Sequence, residues 1–151
     1  MMEGMVIRPA SLSDQDVLED LQRRASLNNP GDRDALLEHP DAIAVPAEQI
    51  TAGQVFVAEC DGTIVGFAAV VPRDDEGVEL DALFVEPHQW KRGIGRTLVD
   101  HCVHIARAGG ASFLHVIGNP HAEGFYLACG FTVVGSAETR FGTGLSMERV
   151  L

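Results

Sequence analysis

The chain is short of several things at once, and each shortage closes a class of function. Its 151 residues include one lysine, one tryptophan and one tyrosine, against 22 acidic residues and a formal net charge of −11. Such a surface repels a phosphodiester backbone, and the basic residues are dispersed except for Lys91, Arg92 and Arg96, so no nucleic-acid partner is expected. No apolar run approaches the roughly 20 residues that a membrane-spanning helix needs. The acidic start Met1-Met2-Glu3 does not read as a signal peptide. Gly-Lys-Ser/Thr occurs nowhere, which excludes a P-loop, and Leu98 stands where a dinucleotide fingerprint needs its third glycine. The three cysteines (Cys60, Cys102, Cys129) are odd in number, scattered and set in apolar segments. They fit reduced packing residues of a cytoplasmic protein rather than a disulfide scaffold or a thiol nucleophile.

What is present is informative. With 46% hydrophobic and 22% charged residues the chain is globular, and a single domain over 1–151 buries about 70% of its unfolded surface. The run Leu83-Phe84-Val85-Glu86-Pro87-His88-Gln89-Trp90-Lys91-Arg92-Gly93-Ile94-Gly95-Arg96-Thr97-Leu98 passes from an apolar, β-prone stretch through a basic turn. Apolar residues then recur at helical spacing: Ile94, Leu98, Val99, Cys102, Ile105 and Ala106. A strand, a turn and a helix start in this order aim backbone N–H groups and the positive end of a helix dipole at one spot, which suits phosphate. Side chains at Gly93 and Gly95 would hold such a ligand away from the backbone.

Elsewhere strands are expected at Val6–Arg8, Val55–Glu59, Thr63–Val71, Val78–Val85, Ser112–Ile117, Phe131–Ala137 and Leu145–Val150. Asp61-Gly62 marks a hairpin between the second and third. Helices are expected from Ser13–Asp16 onward, near Asp32–Glu38, over Ile94–Ala108 and from Pro120. In the first, Leu12 and Val17 are placed as a hydrophobic staple, and Val17, Leu18, Leu21 and Ala25 form one face. The rest of Asn28–Ile50 reads as loop. His101 and His104 are three apart but lack a third metal ligand in view, so no metal is expected. His88 and His121 lie near the phosphate-binding turn and read as cap or loop residues. Asp74-Asp75-Glu76 reads as a solvated turn.

A second segment is equally specific: Asn119-Pro120-His121-Ala122-Glu123-Gly124-Phe125-Tyr126-Leu127-Ala128-Cys129-Gly130-Phe131. Asn119 suits a helix cap followed by proline in the first turn. Together the two segments resemble the acetyl-CoA motifs of the GNAT acetyltransferase superfamily. The first follows Gln/Arg-x-x-Gly-x-Gly/Ala, with Trp90 in the Gln/Arg slot and Gln89 one residue early. The second follows Asn-x-x-Ala-x-x-Phe-Tyr-x-x-x-Gly-Phe throughout.

The resemblance implies one α/β domain with a mixed, mostly antiparallel, V-splayed sheet of about seven strands and about four helices. It implies acetyl-CoA as cofactor, bound by the backbone of Leu83, Phe84 and Val85, by Lys91, Arg92, Gly93, Ile94, Gly95 and Arg96, and by Asn119 and Tyr126. The reaction implied is acetyl transfer to a primary amine, with Tyr126 as general acid and Glu79 as base. Glu79 lies six residues before Val85 and is expected on the same strand face, as is Asp81, the alternative base. A small-molecule amine, a protein N-terminus or lysine, and a non-catalytic CoA-binding role all stay open. So does assembly as a homodimer. The acceptor pocket is expected from Asn28–Ile50 and Arg140–Gly144.

Overall fold

The computed structural model describes residues 4–140 and 142–151, so the Met1-Met2-Glu3 start and Phe141 of the expected acceptor loop lie outside the described residues. Period-two apolar segments form seven strands: β1 (Met5–Pro9), β2 (Val55–Cys60), β3 (Thr63–Pro72), β4 (Gly77–Val85), β5 (Phe113–Gly118), β6 (Thr132–Thr139) and β7 (Gly142–Val150). They make one sheet in the order β1-β2-β3-β4-β5-β7-β6. Every pairing is antiparallel except β4 with β5, which is parallel and short: only Gly77–Glu79 against Phe113–His115. Beyond those three residues the strands part, and the sheet opens as a V.

Five helices accompany the sheet: α1 (Gln15–Leu27), α2 (Pro30–Glu38), α3 (Ala47–Thr51), α4 (Ile94–Ala108) and α5 (Glu123–Ala128). The fifth is α3, one and a half turns inside the stretch expected as loop, where Ile50 is buried among α1 and β2–β3 residues. The hydrophobic staple does not form. Leu12 and Val17 are 54% and 46% exposed, because a 3-10 turn at Leu12–Asp14 precedes α1 and rotates both outward. The turn is closed instead by Asp14, whose carboxylate accepts the Ser11 N–H at 2.8 Å. In α4 the buried stripe is Ile94, Leu98, Val99, Cys102, Val103 and Ala106, with Ile105 exchanged for Val103.

Two apolar layers sandwich the sheet. On one face Leu98 and Cys102 of α4, Tyr126 of α5 and Phe131 just before β6 pack onto Leu80, Leu114, Val116 and Met147. On the other, Leu18 and Leu21 of α1 cover Val57, Phe67, Ala69 and Phe84. Burying these side chains contributes roughly 1.5–3 kcal/mol each before entropy is counted. The cysteines are free, and burial pushes the Cys102 thiol up to about 12, which suits packing. Among the described residues no helix is long and apolar enough to cross a membrane, and no cluster of His, Cys, Asp or Glu has metal-binding geometry.

Candidate active site

The mouth of the V is a cavity of about 690 Å³, open to solvent and walled by β4, β5, α4, α5 and the α1–α2 corner. Its first wall is the strand–turn–helix segment. Glu86 N–H donates to the Val65 carbonyl at 2.9 Å. By the alternation of an antiparallel ladder, Phe84 then pairs with β3, while the backbone groups of Leu83 and Val85 face the gap. The Val85 carbonyl is already taken, accepting from the Trp90 indole N–H at 2.8 Å. This gives the unexpected tryptophan a role: it pins the turn to the end of the strand.

Lys91 carries φ of 66° and Gly93 φ of 83°, a doubly left-handed turn immediately before α4. The Gly93 position leaves open space around a would-be Cβ, so glycine is required there for its backbone angle. At Gly95 a Cβ would lie 3.2 Å from the Phe125 ring, a tight approach of α4 and α5 that a side chain there would push apart by a few tenths of an ångström. Thr97 N–H to the Gly93 carbonyl is the opening backbone bond of the helix, at 3.0 Å. The N–H groups of Ile94, Gly95 and Arg96 therefore precede the ladder without an intrahelical acceptor. Among the described residues, Lys91, Arg92 and Arg96 make no ion pair with a carboxylate. In a chain of net charge −11 they form an unneutralised cationic rim beside those amides. Free N–H donors, a helix dipole and three cations fit a pyrophosphate.

The second wall holds Tyr126 and Asn119. Tyr126 is 8% exposed, stacked edge-on against Phe125 and Phe131, and lines the cavity. Its hydroxyl makes no hydrogen bond to a described residue, and burial raises its pKa well above the ordinary phenol value. It therefore stays protonated at every working pH. Asn119 faces the cavity with both ends of its amide engaged. The oxygen accepts the His121 N–H at 2.9 Å and the nitrogen donates to Asp32 Oδ1 at 3.3 Å. Its cap closes a 3-10 turn at Pro120–Ala122, after which α5 begins. Asp32, on α2, is a site residue that the sequence did not single out. Burial in the cleft raises its carboxyl pKa, while Asn119 opposes the rise.

The expected faces of Glu79 and Asp81 are overturned. Val70 pairs with Leu80 but Ala69 pairs with Ala82, so Asp81 is an extra residue, a β-bulge that shifts the side-chain alternation by one. Leu80, Leu83 and Val85 pack toward α4, whereas Ala82 and Phe84 turn toward α1. Glu79 and Asp81 thus share the α1 face and lie opposite Val85. Asp81 lines the cavity, accepting from Gln49 Nε2 at 3.0 Å. Glu79 sits at the apex of the V, bonded by Arg73 Nη1 and by His115 Nδ1, the latter at 2.6 Å. His101 is half-buried edge-on to Phe56 at 4.7 Å, and burial lowers its pKa.

A splayed sheet, a turn with free N–H donors and cations at its mouth, and a phenol in its wall are features that an acyl-CoA site can use. The model of the "Acetyltransferase (GNAT) family" matches residues 16–131. The chain belongs to that family and is an acyl-CoA-dependent N-acetyltransferase that uses acetyl-CoA. No curated protein sequence is matched. Among solved structures, the PaiA N-acetyltransferase of Thermoplasma acidophilum, in complex with coenzyme A, is similar with TM-score 0.77 at 20% identity, over 97% of this chain and 99% of that one. The ribosomal-protein-alanine N-acetyltransferase of Brucella melitensis is similar with TM-score 0.73 at 24% identity, over 97% and 99%. The N-acetylglutamate synthase of Neisseria gonorrhoeae, complexed with coenzyme A and N-acetyl-glutamate, is similar with TM-score 0.75 at 20% identity, over 100% of this chain and 36% of that one.

Proposed function

We propose that the enzyme moves an acetyl group from acetyl-CoA directly to a primary amine of a small molecule, with both substrates bound at once. The observation that carries the reading is a recess of about 110 Å³ on the α1 face of β4, walled by Gln22, Pro46, Gln49, Asp81 and Phe84. Its wall residues Asp81, Ala82 and Phe84 also line the main cavity, so the two spaces adjoin. A recess of that size takes a small amine whole, and of a peptide only one side chain or the terminal residue. Its polar groups are two amides and a carboxylate, a set that suits a cation.

The cofactor, when bound, supplies an activated acetyl carbonyl and a thiolate leaving group. The turn from Lys91 to Arg96 holds its pyrophosphate, the gap-facing backbone of Leu83 and the Val85 N–H align its arm, and Asn119 borders it. Asp81 and Asp32 attract the acceptor's ammonium. An alkyl ammonium has a pKa of about 10.4 and is neutral in roughly one molecule per few thousand at pH 7, so a base must remove its proton. Glu79 or Asp81 supplies that base, directly or through water. Tyr126 keeps a proton at Oη for the departing sulfur.

A thiol-release assay with acetyl-CoA across amines, amino acids and peptides tests the reading. Turnover with small primary amines and none with peptides is expected. Turnover confined to peptides or proteins would support the second reading, protein N-terminal or lysine acetylation. That alternative draws on the likeness to the ribosomal-protein-alanine enzyme.

A further inference from the structure

Behind the apex of the V, three strands bring together side chains that no motif joins. His115 of β5 is buried, with Nδ1 2.6 Å from Glu79 Oε1 of β4 and Nε2 2.6 Å from Ser146 Oγ of β7. Arg73, from the β3–β4 turn, holds the same Glu79 oxygen, and its guanidinium lies over the Phe113 ring at 5.6 Å. Among the described residues, the register partner of His115 on β7 is also charged: Glu148. A carboxylate only accepts, so Nδ1 carries the proton toward Glu79. In the neutral ring Nε2 is then bare, and Ser146 must donate its hydroxyl hydrogen to it. The lone pairs of Ser146 Oγ are left as acceptors. Ser146 is half-buried and pairs across the ladder with Ile117, which lines the main cavity. It therefore stands about one strand spacing, roughly 4.8 Å, from the cavity wall.

We propose that Ser146, His115 and Glu79 form the proton exit for the acceptor amine. The proposal rests on the acetyl-transfer reading and replaces Glu79 as direct base. The acceptor's N–H bond breaks as an O–H bond forms on an intervening water, and one of that water's own O–H bonds breaks as an O–H forms at Ser146. The original Ser146 O–H breaks as an N–H forms at His115 Nε2. The product of the step is a neutral amine and an imidazolium paired with Glu79, and the proton later leaves the ring for water. Ser146 then relays the proton from the cavity to the imidazole, while His115 and Glu79 position and charge it, in the logic by which hydroxyl–imidazole–carboxylate chains operate on unrelated folds. Arg73 keeps Glu79 aimed at the ring.

The test is a pH–rate profile with whichever amine the thiol-release panel selects, together with a nitrogen NMR spectrum of His115 in the acceptor-free protein. Ser146→Ala should lower kcat 10- to 100-fold with an unchanged melting temperature. Glu79→Gln, which keeps the hydrogen bond and removes the charge, should move the acid limb of the profile to lower pH by about one unit. A structural staple would instead lower stability and scale the rate equally at all pH. Superimposable profiles for the parent and Ser146→Ala overturn the proposal. So does an NMR spectrum at pH 7.5 showing an imidazolium or a proton on Nε2. A parent protein inactive with every acceptor contradicts the transfer reading instead, and the His115 tautomer still decides whether the chain of hydrogen bonds is aligned as proposed.

Discussion

The two walls of the cavity are built on different principles. The wall from Leu83 to Arg96 presents mostly backbone: gap-facing strand groups, three N–H donors at the head of α4, and a turn held open by left-handed residues. The facing wall presents side chains: Tyr126, Asn119, Asp32 and Asp81, with Gln49 bonded to Asp81 and the Glu79–His115–Ser146 chain behind the apex. Backbone recognition is suited to a ligand that never changes, because amides stay the same whatever side chains surround them. Side-chain recognition is suited to a ligand that sets specificity. The two walls should accordingly fail in different ways when altered.

The largest separation is expected at Tyr126. Tyr126→Phe keeps the ring that packs on Phe131 and removes the hydroxyl, so turnover should fall on the order of 10²–10⁴. Coenzyme A affinity by calorimetry and the melting temperature should barely change. The raised phenol pKa adds a sign: the folded state holds the proton more tightly than the free side chain does. No rate loss from tyrosinate is therefore expected below about pH 10, and a steep decline between pH 8 and 9 in kcat would mark Tyr126 as misassigned.

Gly93→Val should break the backbone wall alone. Valine resists φ of 83°, and forcing it there costs enough to weaken coenzyme A binding by on the order of 10- to 100-fold. Acceptor selectivity, read as the ranking of amines at saturating acetyl-CoA, should be untouched. A Gly93→Val protein that binds coenzyme A normally would show that the turn is not the cradle.

Smaller effects should come from the rim. Single replacements of Lys91, Arg92 or Arg96 by Gln are expected to weaken coenzyme A binding by roughly 3- to 10-fold each at low salt, with the loss shrinking at high ionic strength. Salt-independent losses would point to packing rather than charge. The smallest effect is expected at Asp32. Its raised pKa means that the folded state favours the protonated form, so the charge costs stability above the ordinary carboxylate range and nothing below it. Asp32→Asn should raise the melting temperature by about 1–3 °C at pH 8 and leave it unchanged at pH 3. It should also raise KM for a cationic acceptor, and an unaltered KM would remove Asp32 from the acceptor wall.

Legibility in the sequence followed the same division. The backbone wall is local: one turn and one helix start, separated by a few residues, so glycines, a basic cluster and helical spacing gave it away. Even there the reasons differed, since Gly95 answers to Phe125, thirty positions on, and Trp90 to the Val85 carbonyl. The side-chain wall and the chain behind it are assembled from α2, β4, β5, α5 and β7, and no local pattern reports such a meeting. His115 reads in isolation as a buried residue in an apolar strand, and Ser146 as an unremarkable strand serine. Leu12 and Val17 misled because a 3-10 turn advances 120° per residue rather than 100°, which two residues of sequence do not reveal.

The extra residue at Asp81 acts as a phase slip in an otherwise regular wave. A lysine scan along β4 should alternate between tolerated and damaging with one parity up to Leu80, and with the opposite parity from Ala82 onward. Deleting Asp81 would restore a single phase, and one end of the strand would then present its inward residues to the wrong layer. Either Glu79 would swing from the apex into the α4 core, or Leu83 and Val85 would swing out of it. The strand can address an acid-bearing chamber and a dry helix at the same time only because its two ends are out of step.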